Sequence, residues 1–230
     1  ANAEGYRDNA RKLAERFGAL VVAPLFDRER FPTWRYQRAG IARRDAETGA
    51  LSVEPAGERT GEILRTIVDR VRAEEGAADM PYVLLGHSAG AQFLLRVTAF
   101  GPLAAARVVV ANPSSWVLPT SAERFPYGFG GLPAELAEER ALRRYLAQPL
   151  TVLLGTADTG SKDLSMTAGA RRQGEHRYAR GKNAFELAAQ TARAHGWDFG
   201  WGLIEIPGVG HSARRMYEAP FAEHALCPDA

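Results

Sequence analysis

Tyr82-Val83-Leu84-Leu85-Gly86-His87-Ser88-Ala89-Gly90 is the stretch that decides the fold. Residues 82–85 suit a short strand, and residues 89–100 suit a helix that Gly101-Pro102 would stop. Between them, two glycines flank a serine at the spacing of a G-x-S-x-G nucleophile elbow. The spacing has a physical cause. The serine takes a strained backbone conformation that lifts its hydroxyl above a sheet. Strand and helix then nearly touch, so the residues two before and two after it must be small. A helix beginning at Ala89 also points its positive end at the serine, which favours a developing oxyanion.

Outward from this turn the chain alternates. Residues 6–17 read as an amphipathic helix, with Leu13 and Phe17 one turn apart and Gly18 placed to end it. Residues 19–26 are a short apolar run that suits a strand buried on both faces. Residues 27–57 lose any period among prolines, glycines and charges and read as irregular. A second helix is expected over 58–75, with Ile63, Ile67 and Val71 repeating every four residues. Strands are expected over 107–111, 150–154 and 201–206, with a helix over 184–195 between the last two. Strands separated by helical segments imply βαβ units. The fold class is therefore α/β: an open, mostly parallel sheet with helices on both faces, in one domain spanning 1–230. Residues 113–149, rich in proline and aromatics, interrupt the alternation and read as an inserted lid with one short helix over 134–146.

In such sheets the site forms at the carboxyl ends of the strands. A serine nucleophile needs a base, and the base needs an orienting acid. Gly155-Thr156-Ala157-Asp158 follows one strand, and Pro207-Gly208-Val209-Gly210-His211 follows another. Both loops leave the rim that carries Ser88, and the order Ser, Asp, His is the one this architecture uses. Candidate roles follow: Ser88 nucleophile, His211 base, Asp158 orienter, and the Ala89 N–H as oxyanion donor. Among competitors, His87 packs beside its strand, while His176, His195 and His224 suit surface or structural roles. Asp79 and Asp198 precede strands and sit at the wrong end of the sheet. Asp27 belongs to another part of the sheet, and Asn112 cannot supply a carboxylate. Asp163, five residues beyond Asp158, is the nearest alternative.

Composition excludes other classes. Apolar residues at 46% and charged residues at 24% in a 230-residue chain support one sizeable core and argue against disorder. With 29 basic and 27 acidic residues, the net charge of +2 gives no reason to expect a nucleic-acid or membrane partner. Arginines such as Arg171 and Arg172 read as part of a solvated face. The single cysteine, Cys227, precludes an intrachain disulfide. No apolar stretch approaches the roughly 20 residues that span a bilayer. The opening Ala1-Asn2-Ala3-Glu4 has no charged-then-apolar signal pattern.

The elbow, the Gly-x-x-Asp loop and the Gly-Val-Gly-His loop together resemble the α/β-hydrolase superfamily along nearly the whole chain. Asn2-Ala3-x-x-Tyr6-Arg7-Asp8 and Phe125-Pro126-Tyr127-Gly128 are similar to its esterases of the polyhydroxybutyrate depolymerase type. The resemblance implies a serine esterase that forms a covalent acyl-enzyme on a small-molecule or polymeric ester, with no metal or organic cofactor. It also implies strands and a His-Gly oxyanion loop upstream of Asn2. None of these is among the 230 residues, so Ala89 is the one donor assigned. The same likeness puts a further strand between residues 19–26 and 82–85. The expectation is that Ala1 does not start the folded domain and that residues outside this numbering fill the slot.

Trp116, Phe125, Tyr127 and Phe129 are candidates to line an apolar substrate pocket, with Gly128, Gly130 and Gly131 letting the lid move. Filling the base of the lid is the competing role for these aromatics. A peptidase or amidase with the same triad, and a catalytically dead ligand-binding protein, are the rival functions.

Overall fold

The Val108-Val109-Val110 run alternates between the two faces of a four-stranded parallel sheet, and each face has its own core. The computed structural model describes residues 2–101 and 103–227; Pro102 of the expected helix stop lies outside them. Helix α1 (Ala3–Arg16) is followed by a hairpin of β1 (Ala42–Arg44) and β2 (Leu51–Val53), then by α2 (Thr60–Glu74). β3 (Val83–His87) and α3 (Ala89–Phe100) flank Ser88, followed by β4 (Arg107–Ala111), α4 (Ala134–Ala137) and α5 (Glu139–Leu146). β5 (Leu150–Gly155), α6 (Ala168–Arg172), α7 (Arg177–His195), β6 (Trp201–Ile206) and α8 (Ala213–Tyr217) complete the order.

The sheet runs β3-β4-β5-β6, each strand beside its predecessor. Right-handed crossovers that always step the same way put their helices on one face. That face packs Phe93, Leu94 and Val97 of α3, Leu146 of α5, and Ala184 and Ala188 of α7 against Val108, Val110, Val152 and Leu154. The other face is covered from both ends of the described chain. Leu13 of α1 and Met216 and Tyr217 of α8 pack there with Val109, Leu153 and Ile206. The expected α/β architecture, with helices on both faces, is the one observed.

Register places the site. His87 pairs with Ala111, Ala111 with Leu153, and Gly155 with Ile206, so the strands end nearly flush. The ladder continues just past the strand ends: Ser88 N–H donates to Ala111 O (2.9 Å) and Thr156 N–H to Ile206 O (3.0 Å). The residues after β3, β5 and β6 therefore emerge on one rim.

Residues 19–26 depart from expectation. They form no strand, and Leu20 and Leu25 are 60% and 55% exposed rather than buried on both faces. A strand is held by a ladder, and among the described residues none joins this run to β3. Pro24 also lacks a donor. Within 27–57, read as irregular, the β1–β2 hairpin forms. Asp45 Oδ1 accepts from Thr48 N–H (2.7 Å) and Glu47 N–H (3.1 Å), and Gly49 (φ +68°) closes the turn. Residues 134–146 carry two short helices where one was expected.

Candidate active site

Ser88 has φ +55° and ψ −114°, a conformation that costs a side-chain-bearing residue energy and is held by the structure around it. The sharp turn needs Gly86, where a Cβ would lie 2.7 Å from the carbonyl carbon and oxygen of Gly90. Ala89 is the first residue of α3, so its N–H has no partner within the helix and is available to an anion beside Ser88.

Three side chains from three loops form one line. Ser88 Oγ lies 3.0 Å from His211 Nε2, and His211 Nδ1 lies 2.7 Å from Asp158 Oδ2. A carboxylate only accepts, so in the neutral ring Nδ1 carries the hydrogen and Nε2 is free to accept from the serine hydroxyl. The Asp158 and His211 loops are also tied to each other. Ala157 N–H donates to Val209 O (3.0 Å), and Gly208 N–H to Thr156 Oγ1 (2.9 Å). Asp158 is 1% exposed, and its Oδ1 lies 3.5 Å from Nη1 of the equally buried Arg177. Asp163, the alternative acid, is exposed in a left-handed turn (φ +54°).

His87 does more than pack beside its strand. It is buried with its ring centroid 4.6 Å from that of His211, and its Nδ1 lies 3.3 Å from Tyr6 Oη. Burial, then the neighbouring His211, pushes His87 down to about 3, and Asp158 opposes this only in part. It therefore stays neutral beside the base. Asn112, set aside as an acid, has a structural place here: its side-chain oxygen accepts from Gly155 N–H (2.9 Å), joining the ends of β4 and β5. Its φ of +48° is tolerated because asparagine adopts the left-handed region more readily than most residues. An asparagine directly after a buried strand was the signal for it.

The expected pocket aromatics need correction. Trp116, Phe125 and Phe129 are buried in the main core, with Phe129 packed on Phe100 (4.8 Å between centroids) and Tyr145 (5.8 Å). Tyr127 alone is partly exposed, and its hydroxyl meets Thr167 Oγ1 at 2.5 Å. The surrounding segment is pinned rather than free. Arg96 donates to Ser115 O (3.1 Å) and Pro126 O (2.9 Å), and Arg180 to Ser114 O (2.6 Å). Gly128 is required for close approach, since a Cβ there would meet Thr120 O at 2.7 Å. Aromatic content alone could not separate pocket from core. Among the described residues no three His, Cys, Asp or Glu side chains cluster as metal ligands, and no helix is long and apolar enough to cross a membrane.

Two solved structures are similar to the chain. The LpqC poly(3-hydroxybutyrate) depolymerase from Bordetella parapertussis is 33% identical, with a TM-score of 0.86, over 100% of this chain and 75% of that one. Poly(aspartic acid) hydrolase-1 from Sphingomonas sp. KT-1 is 32% identical, with a TM-score of 0.88, over 98% of this chain and 83% of that one. No protein-family model matches the chain, and no curated protein does. Identity at this level along the whole sequence, on the same sheet and helices, is a family relationship: the chain belongs to the α/β-hydrolase superfamily, among the hydrolases similar to polyhydroxybutyrate depolymerases.

Proposed function

We propose that this hydrolase cleaves carboxylic esters through an acyl-enzyme on Ser88. The observation that carries the reading is the continuous line Ser88–His211–Asp158, at 3.0 and 2.7 Å. Ser88 Oγ attacks the ester carbonyl carbon while its proton passes to His211 Nε2. The carbonyl oxygen becomes an oxyanion that the Ala89 N–H and the positive end of α3 stabilise. Asp158 holds the imidazolium through Nδ1. His211 then returns the proton to the leaving alcohol, and the ester of Ser88 remains. A water then gives a proton to His211 Nε2 as its oxygen bonds to the acyl carbon. The bond from that carbon to Ser88 Oγ breaks, the acid leaves, and His211 returns the proton to Oγ, restoring the serine. No metal or organic cofactor takes part in these steps.

The substrate is a polymeric or small-molecule ester, a reading supported by the likeness to a poly(3-hydroxybutyrate) depolymerase. Cleavage of amides by the same three side chains is a second reading, favoured by the likeness to a poly(aspartic acid) hydrolase. Fluorophosphonate labelling tests the nucleophile: the adduct is expected on Ser88 and absent from Ser88→Ala. Matched ester and amide panels, soluble and oligomeric, then separate the readings. Turnover of amides but not esters would replace the first with the second. Ester turnover retained in Ser88→Ala would sink both.

A further inference from the structure

Asp158 poses an electrostatic problem that His211 does not solve. Its carboxylate is 1% exposed and accepts no backbone N–H, and Oδ1 makes no hydrogen bond among the described residues. A charge taken out of water needs an opposite charge or several donors. In the state that precedes attack, His211 must be neutral, so it offers Asp158 a hydrogen but no charge. His87, the other ring beside it, is neutral too. The cation that faces the carboxylate is Arg177, with Nη1 3.5 Å from Oδ1 and a side chain that is itself 1% exposed.

The guanidinium is held for this position. Arg177 is the first residue of α7, whose cap is His176, with Nδ1 accepting from Ala179 N–H (3.2 Å). Arg177 Nη2 donates to Lys162 O at 2.7 Å, and Tyr178 N–H donates to Asp158 O at 3.3 Å. One arm of the fork thus faces the acid and the other grips the far end of the loop that carries it. The titratable and charged groups around the pair come from three parts of the fold: His87 at the end of β3, His211 after β6, and Arg177 with Arg180 on α7. No second carboxylate lies within ion-pair distance of Arg177 among the described residues.

We propose that Arg177 is a positioning residue for the Ser88–His211–Asp158 line: it holds the Asp158 carboxylate charged and turned toward His211 while His211 is neutral. The inference rests on the serine-hydrolase reading above. With Arg177 in place, Asp158 and Arg177 together are neutral, and a proton on His211 adds a full positive charge to the cluster. Remove the cation, and the carboxylate either holds the imidazolium proton more tightly or takes up a proton itself. Both move the pH at which the base becomes available, which an arginine that only packs would not do.

The test is the pH dependence of kcat/KM, and of fluorophosphonate labelling at Ser88, in wild type, Arg177→Met and Arg177→Lys. For Arg177→Met, kcat should fall about 100-fold with KM little changed, and the acid limb should move up by about one pH unit. Arg177→Lys, which keeps the charge, should recover most of both. The double variant Arg177→Met/Asp158→Asn guards against misfolding, because it leaves neither charge buried alone. It should lose no more activity than Asp158→Asn, since the arginine acts only through the acid. Three results would overturn the proposal: an acid limb that stays in place in folded Arg177→Met, no recovery by lysine, or losses that multiply in the double variant. Absence of labelling in the wild type would overturn the serine-hydrolase reading as well. Labelled wild type with an unmoved limb overturns the role of Arg177 alone.

Discussion

Replacing His87 by glutamine should flatten the acid side of the stability curve. The native ring is 4% exposed, its Nε2 has no partner among the described residues, and it packs against His211 at 4.6 Å between centroids. Burial and the neighbouring His211 lower it to about 3, well below the value of about 6.5 expected for an unfolded chain. The sign follows from proton counting. Between those two values the unfolded chain binds a proton that the native protein refuses, so acid favours unfolding. The slope is about 1.4 kcal/mol per pH unit once the pH is below the unfolded value. Between pH 7 and pH 5 this one side chain therefore costs the fold about 2 kcal/mol. With a urea m-value of about 3 kcal/mol/M for a chain of this size, the midpoint moves by roughly 0.7 M.

Glutamine has no titration and keeps an acceptor for Tyr6 Oη, so the variant should be close to wild type in stability at pH 7. Urea unfolding followed by the fluorescence of Trp34, Trp116, Trp197 and Trp201 at pH 7 and pH 5 measures the difference. Carboxylates elsewhere titrate in both proteins and cancel in the comparison. Equal losses in the two proteins between pH 7 and pH 5 would refute the reasoning. They would mean that His87 is charged, or solvated, in the native state.

Asp158→Asn should lower ester kcat on the order of 10⁴-fold while leaving Ser88 in place, as seen when a triad loses its orienter; steady-state kinetics with a purified, folded variant checks it. Gly86→Ala brings a methyl to 2.7 Å from the Gly90 backbone and should abolish labelling at Ser88 even where the far-ultraviolet spectrum is retained. Phe129→Ala should cost about 3–5 kcal/mol in urea unfolding, the range for a fully buried phenylalanine, with KM for small esters unchanged. A raised KM with unchanged stability would return Phe129 to the pocket.

The parts legible in the sequence are those where one physical requirement acts alone. β4 was legible because a central parallel strand is buried on both faces, and Val108, Val109 and Val110 satisfy that without exception. The strand–turn–helix at Ser88 was legible because close packing there leaves little choice at Gly86, whereas a Cβ at Gly90 would meet only Tyr36 Oη at 3.5 Å. Residues 19–26 have the composition of such a strand, yet composition does not supply the ladder partner that makes one. Trp116, Phe125 and Phe129 met an ambiguity of another kind, since a lid and a core draw on the same aromatic residues. The β1–β2 hairpin was missed because strands of three residues are shorter than any period can register.

Arginine shows most clearly where a linear pattern runs out. Arg171 and Arg172 fit the reading of a solvated face, being exposed, with Arg172 paired to Glu123. Arg177 and Arg180, a few residues further on, are buried, and the first two turns of α7 were missed with them. Counted as core residues, they complete a helical stripe of Arg177, Arg180, Gly181, Ala184 and Ala188, all facing inward. An apolar scale breaks that stripe at its charged end, although each guanidinium meets oxygen atoms of the loops around it. Arg180 meets the carbonyls of Gly174, Ser114 and Ser165, and Arg177 meets Lys162 O and Asp158. A buried carboxylate predicted at a strand end therefore implies a cation or a set of donors somewhere else in the chain. Arginines that continue the inward stripe of a neighbouring helix are the first place to look for it.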